Sequence, residues 1–335
     1  MLAYTSDDSI LPLPTGHRFP ISKYALLRER VVAGLPQIRL QPAPAASDGE
    51  LALAHEPVYL RAVLDGLLTA EQLREIGFPW SAAMVERSRR SVGATIAAAR
   101  AALREGVAAN LAGGTHHASA SKGSGYCVFN DVAVAARLMQ AEWHRQQRSL
   151  LRVLVIDLDV HQGNGTAEIF ADDPTVFTYS AHGERNFPFR KVAGDLDVGL
   201  PDGCGDDAYL LALDAALDQV WGRHVSGPPG LAFYLAGADP HEDDRLGRLK
   251  LSADGLGERD RRVLAALRER AIPVALSMAG GYGRDIEVTV ALQRRTLELA
   301  WQSWSTWQIG ALPTGGTIRT DPSPFQQPQW PQDRR

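Results

Sequence analysis

Apolar runs too short for helices punctuate this chain, and each opens into glycines and polar groups: 107–112, 153–156, 231–236 and 273–278. Runs of this length bounded by turn residues predict buried strands. Between them lie segments of helical character at 82–105, 206–221, 254–270 and 286–304. The first of these is rich in alanine, carries dispersed Arg and Glu, and contains no proline. Further strands are predicted at 3–5 and 176–180. Further helices are predicted at 22–32, at 57–68, and from Asn130 or Asp131, either of which can cap, to about 143. Residues 41–49 read as a surface loop. Strands alternating with helices throughout predict one α/β domain: a predominantly parallel central sheet with helices on both faces. From Pro313 the composition shifts to Pro, Gly, Gln and Thr without periodicity. The expected organisation is therefore a catalytic domain over 1–311 and a flexible tail over 312–335.

A parallel sheet binds ligands beyond the carboxyl ends of its strands. Four predicted strands end there in reactive groups: His116-His117, the run from Asp157 to Asn164, Asp239, and Gly280-Gly281-Tyr282. Residues two apart in extended backbone share a face, so a strand continuing past Asp157 would align Asp157, Asp159 and His161. Two carboxylates buried together without a counter-charge are strongly unfavourable, so such a cluster holds a cation or lies open to solvent. Asp159, His161 and Asp239 would supply three protein ligands and leave positions for water and substrate. A cation in that setting suits amide hydrolysis, with His116 and His117 for proton transfer and charge stabilisation and Tyr282 for the oxyanion. Each element has a plainer reading alone. A His-His pair more often packs in a loop, Gly-Gly-Tyr is a turn, and an Asp before Pro shapes one. Together on one sheet edge these accidents lose force.

Other groups carry less. His17, His55, His182 and His241 are candidates to line the pocket, but each alone reads as structural or solvated, and Cys127 as apolar packing without a dedicated base. Gly163-Asn164-Gly165 lacks the glycines and lysine of a phosphate loop. The net charge of −4 with 22% charged residues offers no basic excess for nucleic acid or an anionic membrane. No apolar span is long enough to cross a bilayer, and the N-terminus shows no export signal. Two cysteines fit a reducing compartment, so the expected location is cytoplasmic. Oligomeric state is left open.

The ordered motifs Leu13-Pro-Thr-Gly-His-Arg-Phe-Pro20, Gly113-Gly-Thr-His-His-Ala118, Gly125-Tyr-Cys-Val-Phe-Asn130, Asp157-Leu-Asp-Val-His-Gln-Gly-Asn-Gly165, Gly237-Ala-Asp-Pro240 and Gly280-Gly-Tyr282 resemble the histone deacetylase superfamily of zinc-dependent deacylases. Within it they resemble the class IV branch and its bacterial relatives. The likeness spans about residues 10–300. It implies an arginase/deacetylase-like fold and Zn2+ held by Asp159, His161 and Asp239; ligand type alone does not decide between zinc and Fe2+ in vivo. It implies His117 as general base and acid, His116 as its electrostatic partner paired to Asp157, and Tyr282 as oxyanion donor. Gly125 would accept from the substrate amide. Tyr126 would wall an acyl-lysine channel with Phe187 or Phe189 opposite, and Gly280 and Gly281 would line it. A structural K+ would sit on backbone around Asp157, Asp159 and His161, plus Ser180.

The chain departs from the class I pattern at Asn164, where those enzymes place Asp to orient the histidine matching His117. A neutral partner raises the imidazole pKa less, so the expectation is a neutral His117 near pH 7. Gln162, where class I has a second histidine, resembles class IV, a branch reported to remove long fatty acyl groups. The expected activity is hydrolysis of an N-acyl-lysine amide. Acylpolyamines or other small amides are alternative substrates, and a catalytically silent acyl-binding module is the alternative of another class. A two-manganese ureohydrolase would need further ligands that Ala238-Asp239-Pro240-His241 does not supply.

Overall fold

The computed structural model describes residues 1–7, 11–223 and 227–310, so the expected tail at 312–335 lies outside the described residues. The chain begins with β1 (Leu2–Thr5), α1 (Lys23–Gly34), β2 (Arg39–Pro42) and the short helices α2 (Asp48–Leu51), α3 (Pro57–Leu64) and α4 (Ala70–Ile76). The long α5 (Ala82–Glu105), β3 (Val107–Asn110), α6 (Asp131–Gln147), β4 (Val153–Asp157), α7 (Asn164–Phe170), β5 (Val176–Gly183) and β6 (Leu196–Leu200) follow. The described chain closes with α8 (Asp206–Arg223), β7 (Leu231–Leu235), α9 (Ala253–Glu269), β8 (Val274–Ser277) and α10 (Ile286–Gly310).

All eight strands join one sheet in the order β2-β1-β3-β8-β7-β4-β5-β6, and every neighbouring pair is parallel. Every residue of β3, β4, β7 and β8 is buried, which is why their sequences run apolar without alternation. The pleat still sorts them. Leu154, Ile156, Ala232 and Tyr234 face a core shared with α1, α8, α9 and α10, whereas Val153, Val155, Leu231 and Phe233 face one shared with α3, α5 and α6. Each fully buried Leu, Val, Ile or Phe contributes roughly 1.5–3 kcal/mol. The alanines of α5 permit close packing. At Gly93 an added Cβ would lie 1.9 Å from the Pro44 carbonyl oxygen, so the helix meets that loop backbone to side-chain-free backbone.

The structure adds elements that the apolar runs do not reveal. β2 and β6 are edge strands with exposed positions, and α2, α4 and α7 are short. Their local signals are nevertheless present. Ser47 and Glu50, and Thr69 and Gln72, form capping boxes at the starts of α2 and α4. Leu196, Val198 and Leu200 alternate with Asp197 and Gly199 along β6. α6 and α10 run beyond the predicted ends at 143 and 304, while α3 stops at Leu64 ahead of Gly66, which takes a positive φ of 72°. Among the described residues no helix is long and apolar enough to cross a membrane.

Candidate active site

Four adjacent central strands, β3, β8, β7 and β4, carry the four reactive loops at their carboxyl ends. β4 ends at Asp157, so the extended geometry that would have aligned three side chains does not persist. Instead the turn separates their partners. Asp157 accepts from His116 Nδ1 at 2.6 Å, while Asp159 and His161 turn toward Asp239 from the β7 loop. Ligand atoms of Asp159, His161 and Asp239 all lie within 4.8 Å of one another, and all three residues are buried.

Backbone amides fix these carboxylates across the loops. Val160 N donates to Asp239 Oδ1 at 2.9 Å, Gly280 N to Asp159 Oδ2 at 2.7 Å, and His161 N to Asp159 Oδ1 at 2.9 Å. Gly280 is required by proximity, since a Cβ there would fall 1.9 Å from Asp239 Oδ2. That oxygen is buried and accepts no hydrogen bond, with His161 Nδ1 3.3 Å away. Burial, followed by the charge of Asp159, pushes the Asp239 carboxyl up to about 7. Burial opposes charge on His161, yet Asp159 and Asp239 raise it to about 10. An orphaned carboxylate oxygen beside a second buried carboxylate, with a proton drawn onto the imidazole between them, fits a site built for a divalent cation. Two carboxylates and one imidazole suit zinc or iron alike.

The two histidines differ electrostatically. For His116, burial disfavours charge but the carboxylates of Asp157 and Asp159 outweigh it and lift the ring to about 9. His117 is held well below the ordinary value by burial, then by the charges of His116 and His161. Its Nδ1 lies 2.7 Å from Asn164 Oδ1. An amide oxygen only accepts, so Nδ1 carries the hydrogen and Nε2 keeps its lone pair. The His116 and His117 ring centroids are 4.2 Å apart, and those of His117 and His161 5.9 Å.

An open cleft of about 1180 Å³ leads to these rings and is lined by His117, Gly125, Tyr126, His161, Phe187 and Tyr282, among others. Phe187 stands edge-on to His117 at 4.9 Å, whereas Phe189 lies outward and is 86% exposed. Gly125 and Tyr126 both take positive φ, 54° and 66°. A Cβ at Gly125 would approach His117 Cδ2 to 2.5 Å, and the Tyr126 amide is tied to the Ile76 carbonyl at 2.7 Å. The left-handed backbone at Tyr126 costs about 1–2 kcal/mol and holds its ring 6.0 Å from that of Tyr282. Gly281 follows Gly280 with φ 154°. Ser180 pairs with Asp157 across β4 and β5, and its hydroxyl meets His182 Nδ1 at 3.0 Å.

Three further histidines among the described residues are structural. His17 Nε2 donates to the Gly77 carbonyl, His55 bridges the Ser119 carbonyl and the Asn130 amide, and His241 Nδ1 accepts from the Asp243 amide. Burial pushes the Cys127 thiol up, against a role as nucleophile. Three supporting residues had no distinct sequence signal as such. Asp131 accepts from the amides of Gly114 and Thr115 ahead of the histidine pair, leaving Asn130 as the α6 cap. Asp244 accepts from the Tyr282 amide at 2.6 Å, and Lys23 Nζ donates to the Gly281 carbonyl at 3.2 Å.

The profile of the histone deacetylase domain matches residues 17–295. The chain belongs to the histone deacetylase family. An uncharacterized protein of Picosynechococcus sp. is 46% identical to it over 282 residues, spanning 83% of this chain and 91% of that one. Histone deacetylase 2 of Arabidopsis thaliana is 32% identical over 297 residues, 85% of this chain and 74% of the other. The solved structure of an HDAC homologue complexed with SAHA superposes with a TM-score of 0.76 at 27% identity, covering 92% of this chain and 88% of that one. An HDAC homologue from Aquifex aeolicus gives 0.75 at 27% identity over 90% and 83% of the two chains. The eight-stranded parallel sheet is thus the histone deacetylase fold, and family membership makes this chain a hydrolase.

Proposed function

We propose that this protein hydrolyses the amide of an N-acyl-lysine, using a zinc ion held by Asp159, His161 and Asp239. The carrying observation is their convergence within 4.8 Å beneath a cleft lined by His117 and Tyr282. Bound there, the cation supplies Lewis acidity toward the amide carbonyl and toward water. His117, neutral and oriented by Asn164, takes a proton from the attacking water on Nε2. His116, charged and held by Asp157, stabilises the negative charge that develops, and the Tyr282 hydroxyl donates to the oxyanion. Water oxygen bonds to the carbonyl carbon, the C–N bond breaks, and His117 returns the proton to the departing lysine nitrogen. A carboxylic acid and a free amine result. Tyr126 and Phe187 flank the acyl-lysine stem, and Gly125 accepts from its amide. Backbone around Asp157 to His161 with Ser180 holds K+, and Gln162 and Asn164 favour a class IV assignment.

The test is a series of acyl-lysine peptides of increasing acyl length, assayed with and without chelator and with His117→Ala and Tyr282→Phe. Chelator-sensitive release of free lysine, reduced at least ~100-fold in both variants, is expected. Absence of amidase activity on every peptide, or unchanged turnover in His117→Ala, rejects the reading. The latter result would favour the silent acyl-binding module.

A further inference from the structure

The mouth of the cleft is basic although the chain as a whole carries a net charge of −4. Six basic side chains line it, Arg74, Lys122, Arg185, Arg190, Lys191 and Arg248, against two acidic ones, Glu75 and Glu168. They come from the last turn of α4, from the loop before α6, from the loop between β5 and β6, and from the loop between β7 and α9, so they surround the opening. Part of this charge is matched. Lys122 pairs with Glu75 at 2.8 Å, and Arg248 and Arg185 share the single carboxylate of Asp202 at 3.1 and 4.0 Å. The remainder is not. Among the described residues Arg74 and Arg190 form no ion pair, and the Lys191 ammonium bonds the uncharged carbonyls of Asn186 and Pro188 at 2.5 and 2.7 Å, with the carboxylates of Asp197 and Glu184 acting on it through space only.

Like charges gathered around one opening repel one another, and an anionic ligand relieves that repulsion. We propose that the substrate presents its acyl-lysine within an acidic segment; this rests on the deacylase reading above. With the lysine stem in the channel, an extended peptide advances about 3.3 Å per residue across the mouth. Carboxylates two or three residues from the acyl-lysine thereby reach the rim cations, while the exposed Phe189 covers the peptide's apolar surface. The same charge opposes acylpolyamines, whose free amines would face Arg74, Arg190 and Lys191.

The test uses the full-length, zinc-loaded protein and three peptides of equal length and identical acyl group, flanked by Asp, Gln or Lys, together with an N-acetylated spermidine. kcat/KM is measured at about 0.02 and about 0.5 M salt, where screening lengths are roughly 20 and 4 Å. The Asp peptide is expected to exceed the Lys peptide by about tenfold or more at low salt, with the ratio falling toward unity at high salt. The double variant Arg74→Glu/Arg190→Glu is expected to shrink or invert that ratio, with the Gln peptide as reference within each protein. Equal or greater activity on the Lys peptide overturns the proposal. So does a ratio indifferent to salt or to charge reversal, or a preference for the acetylated spermidine over the Asp peptide. Turnover of none of the substrates, the Gln peptide included, rejects the deacylase reading itself and this proposal with it.

Discussion

Arg259 and Asp260, neighbours on α9, form a buried ion pair at 2.8 Å beneath the loops that carry Asp159 and Asp239. The same guanidinium donates to the carbonyls of Gly237 at 2.7 Å and Leu158 at 3.2 Å, which precede Asp239 and Asp159. Tyr234 and Thr296 donate to the Asp260 carboxylate, completing its hydrogen bonds. A planar guanidinium presents its donors to two carbonyls and a carboxylate in a fixed fork, whereas a Lys ammonium is a compact point charge without that fork. Arg259→Lys is predicted to weaken zinc affinity by about tenfold or more while retaining the fold. Chelator competition measures the affinity, and an unchanged dissociation constant contradicts this role. Arg259→Met leaves Asp260 unpaired and is predicted to destabilise the protein by about 3–5 kcal/mol.

Metal removal should change stability as well as activity. Without a cation, two buried carboxylates confront each other across His161. Zinc at a thousandfold excess over its dissociation constant should stabilise the fold by about 4 kcal/mol. Differential scanning calorimetry of chelator-treated and zinc-restored protein checks this; coincident melting curves refute it.

Asn164→Asp places a carboxylate against His117 Nδ1. Negative charge there favours the imidazolium and raises the ring's pKa. Because the proposed mechanism uses the neutral ring as base, the acidic limb of the kcat/KM profile should move to higher pH than in the parent. A limb that stays in place would mean that Asn164 does not set the protonation of His117.

His55 predicts a pH dependence of stability independent of catalysis. Burial lowers it to about 4 from an ordinary 6.5, against the opposing hydrogen bond that the ring donates to the Ser119 carbonyl. Between these values the unfolded chain binds the proton and the folded chain does not, so stability is full above pH 6.5 and declines as pH falls toward 4. The shift corresponds to roughly 3 kcal/mol at most. Urea unfolding at several pH values should show a shallower decline in His55→Gln than in the parent, and parallel declines would remove His55 as a contributor.

The central sheet was legible because strands buried on both faces cannot hide their apolar character. The edge strands β2 and β6 share water with the surface, so their polar residues read as loop. Candidate ligands were legible for a related reason: acidic and imidazole groups directly after a buried strand have few destinations. What a one-dimensional reading cannot supply is the partner arriving from elsewhere in the chain. Asp157 looked like a third member of the metal cluster until the turn after β4 sent it to His116. Arg259 sits in an ordinary amphipathic helix pattern, and nothing in its neighbours announces a buried contact with Leu158, 101 residues away in sequence.

Asp159 and Asp239 each commit one oxygen to an amide of another strand's loop, Gly280 after β8 and Val160 after β4 respectively. Their presence in a relative therefore reports architecture as much as chemistry: a descendant that had lost all turnover would still be held to these carboxylates by the need to join its loops. The Tyr282 hydroxyl and His117 Nε2 make no hydrogen bond among the described residues and carry no such obligation. On the proposed mechanism, substitution at Tyr282 in a homologue is the sharper mark of a retired enzyme, and retention of the two aspartates is the weaker mark of a working one.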